Sequence, residues 1–294
     1  MISDRMKWSW RGKAIEVGLE SRGEGPVILM LPALSSISSR SEMRPLAEQL
    51  ASTFTTIAVD WPGFGDRPRP AVAWDPEAYR AFLAHILQEL PKPTATVAAG
   101  HAAGYLLTHA AEYPASAGRL CLIAPTWRGP LPTMMGRHRA IFRSMCRLVD
   151  LPVLGYALYR VNVNQPMIRM MARGHVYAGP AWLDHHRMAE KVAVANAPGA
   201  RHASFRFVAG ELDPMSTREL FLATARRVSD PMLVVYGAAT PRRSKAEMEA
   251  LRNLPHVQSC ELPFGKLAVH EEFPALVADA VRSFLGENRR AGIT

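Results

Sequence analysis

Cysteine is scarce in this 294-residue chain: Cys121, Cys146 and Cys260 are the only three, and they stand far apart. An odd, dispersed set excludes a disulfide framework and paired-thiol metal sites, and it fits a reducing compartment. No apolar run reaches the roughly 18 uncharged residues that a membrane span needs. The stretch Met1-Ile2-Ser3-Asp4-Arg5-Met6-Lys7-Trp8 also lacks the apolar core of a signal peptide. A cytoplasmic protein without a membrane span is expected. No block of lysine and arginine is dense enough for a nucleic-acid arm, so nucleic acid is not an expected partner. Internal repeats are absent as well. Acidic residues are outnumbered, 26 against 35 basic ones, giving a net charge of +9 that favours anionic ligands or surfaces.

Apolar residues make up 48% of the chain, enough for a substantial core. Pro26-Val27-Ile28-Leu29-Met30-Leu31 is a continuous apolar run of the kind buried on both faces of a sheet. Similar runs follow at 56–60, 94–99, 119–124, 232–236 and 257–262, and 11–19 reads as an antiparallel opening strand or hairpin arm. Helical periodicity is found over 41–51, opened by a serine cap, and over 75–90, 103–112, 245–254 and 274–285. Alternating strands and helices predict an α/β fold with a mostly parallel, doubly wound sheet. Residues 131–202 carry no strand pattern and are rich in Met and Arg. They are expected to form a helical cap inserted in a core of 1–130 and 203–287, with 288–294 a disordered tail.

The order of these pieces resembles the α/β-hydrolase superfamily, in particular its capped branch of epoxide hydrolases, dehalogenases and small esterases. Four motifs carry the resemblance. Leu31-Pro32-Ala33-Leu34 stands where the branch has its loop after a strand, and Asp60-Trp61-Pro62-Gly63-Phe64-Gly65 matches its Asp-x-Pro-Gly-x-Gly turn. Gly100-His101-Ala102-Ala103-Gly104 has the spacing of the nucleophile elbow between strand and helix. His270 follows the last strand.

The resemblance implies acyl transfer by a nucleophile, a base and an orienting acid. Position 102, which the elbow would give to serine, holds alanine. The acid's place in Gly237-Ala238-Ala239-Thr240-Pro241 holds Thr240. Loss of both favours a natural departure from serine chemistry over a lone Ser-to-Ala inactivation of an esterase.

His270 survives as a candidate acid/base group, or as a relic hydrogen-bonded in a polar pocket. Glu271 and Glu272 either favour the following helix N-terminus or orient His270. The resemblance places the oxyanion donors at the Leu34 and Ala103 amides, main-chain groups untouched by the loss of serine. His101 lines the pocket or packs beneath the sheet edge. Ser35 and Ser36 are replacement hydroxyls or a polar turn, and Asp213 and Glu211 are substitute acids or a turn with a helix cap. Met134, Met135, Met145, Met167, Met170 and Met171 suit either an apolar ligand or plain packing. Asp184-His185-His186 lacks a third ligand, so no metal and no cofactor are expected. The resulting expectation is cofactor-free, non-covalent acid/base chemistry on a small apolar carbonyl or anionic substrate. The alternatives are a ligand-binding pseudoenzyme and an inactive esterase.

Overall fold

The computed structural model describes residues 4–136, 141–179 and 181–286; the tail expected at 288–294 lies outside them. Eight strands form one sheet: β1 (Arg5–Trp10), β2 (Lys13–Arg22), β3 (Val27–Leu31), β4 (Thr55–Val59), β5 (Ala95–Ala99), β6 (Arg119–Ile123), β7 (Met232–Gly237) and β8 (Val257–Leu262). Their order is β1-β2-β4-β3-β5-β6-β7-β8, antiparallel at β1–β2 and β2–β4 and parallel from there on.

The opening is a hairpin, the second of the two forms expected for residues 11–19. Trp10 pairs with Lys13 across a two-residue turn, and Arg11 and Gly12 both have positive φ (47° and 75°). Two left-handed residues in sequence make the turn whose twist suits adjoining strands. The first helix also begins later than its serine suggested. A short helical turn over Arg40–Met43 leads into α1 (Arg44–Leu50), and no serine side chain caps it. Pro45 sits in the first turn of α1, where a missing N–H does no harm.

Alternation along the strands sorts the core into two layers. Ile28, Met30, Val97, Ala99, Cys121 and Ile123 pack with α1 and α13 (Pro274–Leu285) on one face. Leu29, Leu31, Ile57, Ala98, Leu120 and Leu122 pack on the other with α2 (Pro76–Glu89) and α3 (Ala102–Glu112). The Asp75 carboxylate accepts the Ala78 N–H and starts α2.

Helices alone connect β6 to β7 among the described residues: α4 (Pro130–Met135), α5 (Ile141–Asp150), α6 (Pro152–Asn162), α7 (Gln165–Met171), α8 (His185–Asn196), α9 (Ala200–Ala209) and α10 (Arg218–Arg227). α9 packs against α4, α5, α6 and α8, whereas α10 packs on α3 and buries Phe221 and Ala225 in the sheet core. The 61–65 turn meets this insertion closely: a side chain at Gly63 would lie 2.7 Å from the Ala203 methyl. α11 (Arg242–Arg252) and the short α12 (Val269–Glu272) complete the chain.

Candidate functional site

In an open parallel sheet, ligands sit at the strands' carboxyl ends where the strand order reverses. Here that reversal lies between β3 and β5, and the two loops leaving them touch: a Cβ built on Gly100 would lie 3.3 Å from the Ala33 methyl.

The 100–104 turn is gentle. Its only left-handed residue is Gly100 (φ 51°), while His101 is already helical (φ −69°, ψ −24°) and Ala102 opens α3, fully buried in the apolar core. The Ala103 N–H turns back to the Gly100 carbonyl (3.3 Å). Leu34 is also fully buried, and the neighbouring Ala33 N–H donates to Glu42 Oε1 (2.7 Å). Ser35 belongs to a polar turn, its oxygens accepting from Ile37 and Ser38 amides.

His101 works as a tie. Its Nε2 lies 3.0 Å from the Leu212 carbonyl, which also accepts the Tyr105 hydroxyl at 2.6 Å. A carbonyl can only accept, so this nitrogen carries the proton. Burial pulls the imidazole down to about 4. Asp213 Oδ1 is 3.5 Å from the same nitrogen and accepts the Gly129 N–H (2.8 Å), and burial pushes this carboxyl up to about 8. Asp213 therefore joins the elbow to the head of α4.

These opposite shifts predict a pH signature. Neutral His101 strengthens the fold as pH rises from 6.5's acid side, while ionising Asp213 weakens it from about 4 up to about 8. The two effects oppose each other below about 6.5, leaving Asp213 alone between about 6.5 and 8. Asp213→Asn, which keeps the acceptor for Gly129, should raise stability at pH 8 by about 2–4 kcal/mol and flatten that decline. Thermal melts of both proteins across this range check it.

The histidine after β8 is the centre of a second arrangement. His270 is buried, its Nε2 is 3.6 Å from Glu42 Oε1, and neither ring nitrogen has a hydrogen-bond partner. Lys191 Nζ (2.8 Å) and the Tyr177 hydroxyl (2.8 Å) both donate to Glu271. Burial opposes charge on Glu42, yet the adjacent His270, the Lys191 ammonium and the Ser38 hydroxyl hold its carboxyl below the usual range. Burial likewise opposes charge on Lys191, but Glu271 and Glu42 outweigh it and raise the ammonium. Glu272 accepts the Ala178 (2.9 Å) and Gly179 (2.8 Å) amides. Both glutamates thus reach into the β6–β7 insertion rather than serving the N-terminus of α13.

One carboxylate or imidazole atom from each of Glu42, His270 and Glu271 falls within 4.8 Å of the others, a spacing that could hold a cation. Both Glu271 oxygens are already engaged, and the Lys191 ammonium supplies positive charge there. Asp184 caps α8 through the Arg187 N–H (2.8 Å), with His185 and His186 exposed beside it.

Thr240 is buried and donates to the Lys266 carbonyl (3.3 Å), on the loop leading to His270, so it offers that loop no carboxylate. Burial pushes the Cys121 and Cys146 thiols up to about 12 and raises that of Cys260, which disfavours the reactive thiolate.

Glu42, Lys191 and Tyr177 escaped the sequence reading. Lys191 had a signal, since it shares the inward stripe of α8 with Met188 and Ala195. Glu42 resembled an ordinary first-turn acid.

The sequence over residues 28–280 matches the profile of the alpha/beta hydrolase family. A 2-(acetamidomethylene)succinate hydrolase of Mesorhizobium japonicum is 32% identical over 102 residues, 34% of this chain and 36% of that protein, so the match spans little more than a third of the relative. Two solved structures share the fold. An esterase of Thermogutta terrifontis (TM-score 0.72, 20% identity) is aligned over 96% of this chain and 98% of its own. The enol-lactonase of Burkholderia xenovorans (TM-score 0.71, 15% identity) is aligned over 95% and 99%. With the profile covering most of the chain, the chain belongs to the alpha/beta hydrolase family.

Proposed function

We propose that this protein performs non-covalent, cofactor-free acid/base chemistry on a small apolar carbonyl or anionic substrate, with His270 as the acid/base group and Glu42 as its partner. The observation that carries this reading is a buried imidazole with both nitrogens unpartnered, 3.6 Å from a buried carboxylate. Buried polar atoms are normally satisfied, and an orphaned pair on a titratable ring suits a group that exchanges protons with a ligand. Ala102 is read as the vacant nucleophile position and Thr240 as the vacant acid position. Residues 131–202 are read as the cap, whose last helix runs on to Ala209.

The relaxed backbone at 102 strengthens the case against a covalent step. A nucleophile is presented by a strained turn, and here the positive φ sits two residues earlier. Ala102→Ser is expected to show no hydrolysis of a fluorogenic short-chain ester above background. Its buried hydroxyl, in an apolar layer, is expected to lower stability by about 1–2 kcal/mol.

A receptor or carrier role is favoured by one observation: the Ala103 amide, one of the two expected oxyanion donors, is already turned to the Gly100 carbonyl. Turnover separates the two readings. Short-chain esters, enolisable ketones and 2-(acetamidomethylene)succinate form the probe set, assayed with the native chain and Ala102→Gly. Turnover of one probe, changed less than about threefold in the variant, is the expected result. No turnover of any probe would overturn the catalytic reading.

A further inference from the structure

We propose that the outer face of α5–α7 docks on an anionic membrane surface, with the helices lying along the interface. The starting point is α6, which is apolar nearly all round and packs on α5 and α9, yet among its described residues only Gly155 and Tyr159 are fully buried. Val153 is 84% exposed, Val161 71% and Tyr156 53%, and Leu151 and Leu154 are about half exposed beside them. Met170 on α7 is also 59% exposed. A helix with this composition is ordinarily covered on every side.

The charge around the patch selects its cover. Residues 130–179 contain seven arginines and one acid, Asp150. Six of the chain's nine net positive charges therefore lie in about a sixth of its length. Asp150 is held by Arg206 (2.6 Å) and His202 (2.7 Å), Arg143 is paired with Glu211 (3.3 Å), and Arg137 and Arg139 lie outside the described residues. Arg147, Arg160 and Arg173 are exposed. A second copy of the same face would bring like charges together, whereas a bilayer with anionic headgroups complements the arginines and accepts the apolar side chains. Among the described residues no helix is long and apolar enough to cross a membrane, so the helices lie on it. Arginine suits this position, because its stem covers apolar surface while its head stays at the headgroups. None of this depends on the chemistry assigned to His270.

Flotation of the full chain with vesicles tests the proposal. Binding to phosphatidylcholine–phosphatidylglycerol vesicles is expected to be at least about tenfold tighter than to phosphatidylcholine alone, and to weaken in high salt. The double variant Val153→Asp/Val161→Asp should lose about tenfold or more, while Leu220→Asp, an exposed site on α10, leaves binding unchanged. Both sites are exposed, so circular dichroism of the variants should match the parent. Absence of vesicle binding, or binding that the double variant retains, would overturn the proposal. So would a dimer in sedimentation that the double variant disperses.

Discussion

Exchange of Lys191 for methionine should destabilise the fold by about 3–5 kcal/mol, the effect of stranding one member of a buried ion pair. The lysine side chain and its partner Glu271 are each about 8% exposed, and their 2.8 Å contact is far from screening water. Methionine fills the same volume without the charge. Glu271 would then lie beside the also buried Glu42 with the ammonium that offsets both removed. The double exchange Lys191→Met/Glu271→Gln should recover most of the loss, since a neutral amide still accepts the Tyr177 hydroxyl. Urea unfolding of the parent, single and double variants gives the comparison, and an unchanged midpoint in the single variant would refute the buried-pair account.

Replacing His270 with alanine should lower kcat/KM by about 10²–10⁴, the usual contribution of a positioned acid/base group. KM should move little, because the ring acts on the reacting proton more than on ground-state binding. Glu42→Gln should act differently. It keeps an acceptor for the Ala33 amide but removes the negative charge beside the ring. A loss of about tenfold is expected. A structural histidine would leave kcat/KM unmoved in both folded variants.

The sheet was readable in the sequence because strands buried on both faces are continuous apolar runs, as at Val27–Leu31 and Ala95–Ala99. β1 was not, since its residues alternate only loosely and half its face is solvated. The absence of serine at 102 was legible, but the relaxed turn around it was not, because backbone angles follow from packing. His270 stood out through its place after the last strand. Its surroundings did not: Glu42 lies 228 positions away, and Lys191, which holds the adjacent Glu271, lies 79 away, so that only the folded chain brings them together. The Asp213–His101 contact, spanning α3 and the exit of the insertion, was invisible for the same reason.

The central claim is that proton transfer at His270 proceeds with no bond formed to the protein, and intact-mass analysis of the chain quenched during turnover tests it most directly. The account predicts accumulating product with the 32.4 kDa chain unmodified at every time point. An acyl adduct on Ser35, Ser36 or any other side chain, formed and lost at the rate of turnover, would contradict it.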